Sequence, residues 1–270
     1  MEYRSLLRDK RRIIIKIGTA LLTMEDARID MIRLERMAGV ISGLHESGKE
    51  VLLVSSGAVG AGMGKLMQQK KPEKIAEKQA LASIGQAALL RMYETFFDEY
   101  DKVIGQVLLT RDGIENPLRR RNAKNTLEHL LKMKVIPIIN ENDTVSTEEL
   151  EFGDNDMLSS IVAELINADL LIILTNTDGV YTSDPGVYDD AKKLSLVYKD
   201  GDELHDVITE GKSTLGSGGM YSKIQAAAYC QNRDIDVIIA EGSEPSVLYK
   251  IFDGEDIGTY FISENTRFQG

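Results

Sequence analysis

The chain has 270 residues with 43 Asp and Glu against 32 Lys and Arg, which gives a formal net charge of -11 at pH 7. This acidic balance disfavours nucleic acids and anionic membranes as partners, because both repel a negative surface. Apolar runs of about five residues are too short for a membrane span, and the N-terminus has no apolar core typical of a signal peptide. Because Cys230 is the single cysteine, no intrachain disulfide can form, and we expect a cytoplasmic protein.

Short apolar runs alternate with longer amphipathic segments along the chain. The apolar runs predict strands at Arg12–Gly18, Glu50–Gly57, Lys102–Thr110, Val135–Asn140, Asp169–Thr175 and Ile235–Gly242. The amphipathic segments predict helices at Asp30–Gly48, Glu73–Phe97 and Asn116–Met133, with a further helix after a late glycine-rich stretch. In the first helix, Asp30 is the expected N-cap and Gly48 the expected C-terminal stop.

Continuous apolar strands that alternate with helices are typical of a largely parallel sheet covered by helices on both faces. The chain has 5 prolines, no internal repeat and no linker-like tract. We therefore expect a single α/β domain whose two lobes share one sheet. Ligands of such folds bind beyond the carboxyl ends of the strands, so candidate site residues are expected there.

Lys16 interrupts the otherwise apolar first strand, "RIIIKIG". A lysine on an edge strand can extend into solvent, but the isoleucine content indicates a central strand. The ammonium group is therefore expected to have an anionic partner. Gly18 follows at once and allows a tight turn whose backbone N–H groups can face a phosphate.

The second strand runs into a glycine-rich segment, "VSSGAVGAGMGK", which contains Ser56 and Gly57. Its spacing does not match the G-x-G-x-x-G pattern of dinucleotide-binding proteins. Two interpretations remain open. The glycines allow a helix to pack closely on its neighbour, or the start of that helix offers N–H donors to an anion.

The middle of the chain, "INENDTVSTEELEFGDNDMLSS", concentrates short polar side chains around an expected hairpin: Asn140, Asn142, Asp143, Asp154, Asn155 and Asp156. Turn formation, and capping of the next helix by Asp154, account for some of them. Asp143 follows a strand, where a carboxylate suits an ammonium group or a metal ion.

The most strand-like run, Asp169–Thr175, ends in residues that are candidates for nucleotide contacts, Thr175 and Asn176. The Asp178-Gly179 pair that follows favours a hairpin turn. Histidines 45, 129 and 205 and the cluster Arg119–Arg121 lie in helical patterns and are expected on the surface.

The late stretch "GSGGMYSKIQAA" spans Gly216–Ala227 and places Lys223 in the first turn of the predicted helix. It is not a Walker A motif, since no Gly-Lys-Ser/Thr triplet closes it. A lysine near a helix N-terminus is unfavourable against the helix dipole, which favours a bound anion over a solvated surface lysine. Two lysines and two glycine-rich turns at strand ends together predict a polyphosphate site.

Five segments, "IIIKIGTA", "VSSGAVGAG", "INENDTV", "FGDNDMLS" and "GSGGMYSKIQAA", resemble the amino-acid kinase family in order and spacing. The resemblance covers residues 10 to 262 and is strongest to members that phosphorylate the γ-carboxylate of glutamate, the first step of proline biosynthesis. It implies an αβα sandwich around an eight-stranded, mostly parallel sheet. It also implies a glutamate-side lobe, residues 10–165, and an ATP-side lobe, residues 166–264, within one domain over residues 1–270.

Carried over by position, the resemblance implies that Lys16 and Lys223 hold the transferring phosphoryl group and that Asp156 lies between them. It implies glutamate ligands at Ser56, Gly57, Asp143 and Asn155. It implies ATP ligands at Lys16, Gly18, Thr175, Asn176, Ser217, Gly218, Gly219, Met220 and Lys223. No metal site of the protein's own is expected, because Mg²⁺ is carried by ATP.

Two positions depart from the family pattern, since Asn176 and Ala20 stand where Asp and Ser are common, and this leaves the nucleotide contacts open. A C-terminal PUA domain, present in many bacterial members, is not expected. The resemblance further implies a homodimer or homotetramer and feedback inhibition by proline. The alternatives are a kinase for another acid or a nucleoside monophosphate, and a non-catalytic amino-acid sensor on the same fold.

Overall fold

The computed structural model of the protein describes residues 2–24, 28–68, 70–145, 155–199 and 219–267. The strands are β1 (Arg12–Ile17), β2 (Glu50–Ser55), β3 (Ile104–Leu109), β4 (Ile136–Glu141), β5 (Leu170–Thr175), β6 (Val180–Tyr181), β7 (Lys193–Leu194), β8 (Leu196–Tyr198), β9 (Asp236–Glu241) and β10 (Thr259–Ile262). The helices are α1 (Glu2–Ser5), α2 (Thr19–Leu22), α3 (Met31–Glu46), α4 (Ala58–Lys65), α5 (Ile75–Asp98), α6 (Arg111–Glu115), α7 (Pro117–Lys132), α8 (Asn155–Leu165), α9 (Gly219–Gln231), α10 (Val247–Phe252) and α11 (Glu264–Arg267).

Eight strands form one sheet in the order β3-β4-β2-β1-β5-β9-β10-β8. Neighbouring strands are parallel except for the antiparallel pair β9 and β10. Strand β1 lies at the centre, where the chain order of the strands reverses, which is the usual ligand position in open α/β sheets. The predicted eight-stranded, mostly parallel αβα architecture is confirmed.

Side chains of β1 alternate between the two faces of the sheet, because successive residues of a strand point in opposite directions. Ile13, Ile15 and Ile17 pack in the core layer formed with α3, α5 and α10. Ile14 packs in the opposite layer, formed with α7, α8 and α9. Lys16 shares the parity of Ile14, so its side chain faces the layer that contains α8 and α9.

The six predicted strands and the three predicted long helices are confirmed, with ends that differ by one or two residues. Asp30 caps α3, since its Oδ1 accepts a hydrogen bond from the Arg33 N–H at 3.0 Å. Gly48 follows that helix with a φ of 91°, a conformation that favours glycine. In the part of the chain that the structure describes, no helix is long and apolar enough to cross a membrane.

The prediction of a hairpin at Asp178-Gly179 is wrong, because the strands before and after this turn do not pair with each other. Strand β5 is already flanked by β1 and β9, so neither of its edges is open to the segment that follows. Strand β6 pairs instead with β7, with Val180 opposite Leu194. The hairpin expected around residues 143–154 and the cap expected at Asp154 lie outside the described residues, although α8 begins at Asn155.

Close packing explains part of the glycine-rich segment after β2. A Cβ added to Gly62 of α4 would lie 2.0 Å from the backbone oxygen of Leu81 on α5. A Cβ added to Gly85 of α5 would lie 1.7 Å from the backbone oxygen of Ala58 on α4. The two helices therefore touch backbone to backbone, as the packing interpretation expected, and this contact holds α4 against the end of β2.

We expect Gly85→Ala to lower the free energy of unfolding by about 1–3 kcal/mol, because overpacking forces backbone shifts. The measurement is urea unfolding followed by circular dichroism. Ser83→Ala, an exposed position on the same helix, is the matched control and should change stability by less than about 0.5 kcal/mol. Equal stability of the two variants would show that α4 and α5 do not make this contact.

Candidate active site

Three charged side chains from three different elements converge at the carboxyl end of β1. The Lys16 Nζ lies 2.6 Å from Asp156 Oδ1, and the Lys223 Nζ lies 3.0 Å from Asp156 Oδ2. Asp156 is fully buried, and Lys16 and Lys223 are only 2% and 8% exposed. Two buried ammonium groups thus share one carboxylate, and we call this set the lysine clamp.

The position of each clamp residue within its strand or helix explains why its side chain reaches the clamp. Lys16 faces the layer of α8 and α9, as the strand alternation requires. Asp156 lies in the first turn of α8, where the helix dipole favours a negative charge. Lys223 is the fifth residue of α9, just beyond the first turn in which it was predicted, and its Nζ donates to the Gly219 oxygen at 2.8 Å.

Helices α8 and α9 are in direct contact beside the clamp. The Ser222 hydroxyl donates to Asp156 Oδ2 at 2.8 Å, and the Ser160 hydroxyl donates to the Ala226 oxygen at 3.2 Å. Ser222 directly precedes Lys223 and carries no sequence signal of its own. Its hydroxyl gives the Asp156 carboxylate a fixed orientation toward both lysines.

Gly18 and Gly219 lie next to the ammonium groups. A Cβ at Gly18 would be 3.6 Å from the Lys16 Nζ, and a Cβ at Gly219 would be 4.0 Å from the Lys223 Nζ. The backbone at each of these two glycines therefore approaches the clamp without an intervening side chain. Backbone N–H groups and ammonium groups are the donors that phosphate oxygens accept in proteins.

A cavity of about 320 Å³ opens beside the clamp, within the size range of small-molecule sites. It contains all four residues that the resemblance implied as glutamate ligands: Ser56, Gly57, Asp143 and Asn155. The other lining residues are Thr19, Ala58, Val59, Gly60, Ile75, Lys78, Gln79, Asn140 and Glu141. Gly57 has a φ of 97° and is the N-cap residue of α4, so the chain turns sharply into the cavity wall.

A chain of amide groups connects the cavity to α5. The Asn155 Nδ2 lies 2.8 Å from Ser56 Oγ and 2.9 Å from Asn140 Oδ1. The Asn140 Nδ2 in turn donates to Gln86 Oε1 at 2.9 Å. Because Asn155 and Asp156 are consecutive residues of α8, this amide chain fixes the cavity wall and the clamp relative to each other.

Tyr93 supports the end of β2 from the opposite face of the sheet. Its hydroxyl lies 2.8 Å from the Ser55 Oγ, and both side chains are buried. Burial raises the pKa of Tyr93 well above its ordinary value, so the hydroxyl stays neutral and able to donate. Neither Gln86 nor Tyr93 gave a signal in the sequence, since each occupies an ordinary position of an amphipathic helix.

The structure describes most of the residues that the resemblance implied as ATP ligands. Thr175 ends β5 next to the Gly18 turn, since Leu174 pairs with Ile17. The exposed Asn176 follows, and its Oδ1 lies 3.3 Å from the Thr175 hydroxyl. Gly219 and Met220 begin α9. Ser217 and Gly218 lie outside the described residues.

The arginine cluster on α7 takes no part in this site. Arg119 pairs with Asp112 at 3.0 Å, and Arg120 pairs with Glu164 at 3.1 Å. Arg121 is exposed, as expected for a solvated face. His129 is also exposed on α7, whereas His205 lies outside the described residues.

Comparison with known proteins identifies the family. The model of the amino acid kinase family matches residues 11–241. The chain belongs to the amino acid kinase family. A protein named Glutamate 5-kinase from Clostridium perfringens is 48% identical over 265 residues, 97% of this chain and 98% of the relative. A Listeria monocytogenes protein of the same name is 45% identical over 269 residues, 98% of each chain.

The similarity to solved structures concerns the fold. The crystal structure of UMP kinase from Bacillus anthracis superposes with a TM-score of 0.66 at 20% identity. The match covers 94% of this chain and 97% of that structure. At this identity the likeness supports the eight-stranded architecture and carries no information about the substrate.

We expect Asp156→Asn to lower the free energy of unfolding by about 3–5 kcal/mol, because two buried ammonium groups lose the carboxylate that both contact. Urea denaturation of wild type and variant measures the difference. Glu244→Gln removes one partner of the exposed Arg36–Glu244 pair and is the control, with an expected change of less than about 1 kcal/mol. A loss in Asp156→Asn no larger than in the control would contradict a tightly coupled clamp.

Proposed function

We propose that this protein transfers the γ-phosphoryl group of ATP to the γ-carboxylate of glutamate and forms glutamyl 5-phosphate, the first step of proline biosynthesis. The observation that carries the proposal is the convergence of two buried lysines on Asp156 beside a polar cavity. The name of the Clostridium perfringens and Listeria monocytogenes relatives supports glutamate as the acceptor.

The acceptor in this proposal is already an anionic nucleophile. A carboxylate needs no general base at neutral pH, so the barrier consists mainly of charge repulsion and positioning. Lys16 and Lys223 act on the transferring phosphoryl group and offset the charge that approaches from both substrates. Asp156 holds the two ammonium groups in place, so little reorganisation is required during the reaction.

We assign the binding of ATP to Gly18, Thr175, Asn176 and the first two residues of α9, Gly219 and Met220. The glycine turns offer backbone N–H groups to the phosphates, and the N-terminus of α9 adds the positive end of a helix dipole. We also assign Ser217 and Gly218 to ATP binding on the family resemblance alone. Mg²⁺ enters as part of the MgATP substrate and neutralises charge on the phosphates.

We assign the binding of glutamate, the acceptor, to residues that line the cavity. Asn155 directly precedes Asp156 and contacts Ser56, and we assign Ser56, Gly57 and Asn155 to the γ-carboxylate. Asp143 lies in the turn after β4, and its carboxylate suits the α-ammonium group of a free amino acid. Homodimer or homotetramer formation, inhibition by proline and a cytoplasmic location are proposals that rest on the resemblance and on composition.

The direct test is an assay with ATP, Mg²⁺, glutamate and hydroxylamine, which traps the labile acyl phosphate as a hydroxamate. We expect hydroxamate formation to depend on both ATP and glutamate, and Lys16→Met or Lys223→Met to lower kcat by about 10²–10³-fold. Lys193→Met, which removes an exposed ion pair with Asp178, is the control with normal turnover. Turnover of another acid or of a nucleoside monophosphate, but not of glutamate, would favour another kinase. Absence of turnover with every acceptor would favour a sensor.

Asp143→Asn tests the assignment of the ammonium group. Loss of a charge-assisted hydrogen bond should raise the KM for glutamate by about 10- to 100-fold, with a small change in kcat. The KM for ATP should not change. N-acetylglutamate carries no α-ammonium group and should be a poor substrate of the wild type. Equal activity of the wild type on glutamate and N-acetylglutamate would contradict the role of Asp143.

A further inference from the structure

Lys78 is a cavity residue to which the proposed reaction assigns no role. It is the fourth residue of α5 and lines the cavity together with Ile75 and Gln79 of the same helix. We propose that Lys78 binds the α-carboxylate of the acceptor and so selects amino acids with a free α-carboxylate. This inference rests on the proposed function, because it assumes that glutamate occupies the cavity.

The charges that line the cavity match those of a free amino acid. Among the described lining residues, Glu141 and Asp143 carry carboxylates, and Lys78 is the one lysine or arginine. Glutamate has an α-ammonium group and an α-carboxylate on the same carbon, so a site for this end of the molecule requires both signs of charge. Asp143 supplies the negative charge in the proposal, and Lys78 supplies the positive charge.

Lys78 is separate from the lysine clamp. Lys78 is among the described residues that line the cavity, whereas Lys16 and Lys223 are not. The γ-carboxylate of the acceptor must approach the clamp for the reaction to occur. The α-carboxylate of the same molecule lies away from the clamp in this arrangement, and a second cation gives it a charge-assisted contact.

The local setting of Lys78 also favours an anionic ligand. A lysine in the first turn of a helix is unfavourable against the helix dipole, as is the case near the start of α9. Within residues 70–145 and the other described ranges, no carboxylate forms an ion pair with Lys78. Its neighbour Lys70, by contrast, pairs with Glu73 at 2.9 Å. The exposed side chain of Lys78 is therefore available to an anionic ligand in the cavity.

The experiment compares steady-state kinetics of Lys78→Met, Lys78→Arg and wild type in the hydroxamate assay. Lys78→Met should raise the KM for glutamate by about 10-fold, the effect of losing one charge-assisted contact at a partly exposed site. Its kcat should stay within twofold, and the KM for ATP should not change. Lys78→Arg, which keeps the charge, should restore most of the affinity for glutamate.

A substrate analogue isolates the contact from other effects of the substitution. The α-amide of glutamate keeps the γ-carboxylate and the α-ammonium group but lacks the charge of the α-carboxylate. Wild type should bind this amide more weakly than glutamate. Lys78→Met should bind the two compounds with similar KM values, because the group that distinguishes them is absent.

Lys74→Met is the matched control, since Lys74 lies one turn earlier at the start of α5 and does not line the cavity. The inference is overturned if the glutamate KM of Lys78→Met is unchanged, or if Lys74→Met raises it equally. It is also overturned if the ratio of the KM for the amide to the KM for glutamate is the same in Lys78→Met as in the wild type. A wild type without glutamate-dependent hydroxamate formation would instead overturn the proposed function itself, and the role of Lys78 with it.

Discussion

The shared carboxylate of Asp156 is the interaction on which the rest of the site depends. A buried ammonium group is unfavourable without an anionic partner, and here two such groups, Lys16 and Lys223, meet one carboxylate from opposite sides. Lys16 is tolerated in the central strand because α8 places Asp156 above it. The same carboxylate requires α9 to pack on α8, so one buried charge links three elements.

The cavity beside the clamp depends on the same helix. Asn155 precedes Asp156 and joins the amide chain through Asn140 to Gln86 of α5. Helix α5 is fixed in turn by its backbone contact with α4, which Gly85 allows. Gly62 and Gly85 thus allow the two helices to pack closely. A shift of α8 would therefore disturb the clamp and the cavity together.

Much of this arrangement was predictable from the sequence, because it depends on interactions between residues that are close along the chain. The apolar strands and capped helices follow from short-range patterns, and an isolated lysine in an isoleucine-rich strand indicates a buried anionic partner. Long-range partners leave no such pattern. Gln86 looks like any polar residue of a helix, and its contact with Asn140 appears only when β4 lies beside α5. The prediction of a hairpin at Asp178-Gly179 was wrong because a turn signal reports only on neighbouring residues. Whether β5 has an open edge depends on the whole sheet, in which β1 and β9 flank it.

The lysine clamp is tested most directly by a crystal structure with ADP, aluminium fluoride, Mg²⁺ and glutamate, in which the fluoride group imitates the transferring phosphoryl group. The proposed mechanism predicts that the Nζ atoms of Lys16 and Lys223 both lie within hydrogen-bonding distance of the fluoride group, with Asp156 still between them. A structure in which either Nζ points away from the fluoride group, or in which the glutamate γ-carboxylate lies elsewhere, would contradict the mechanism.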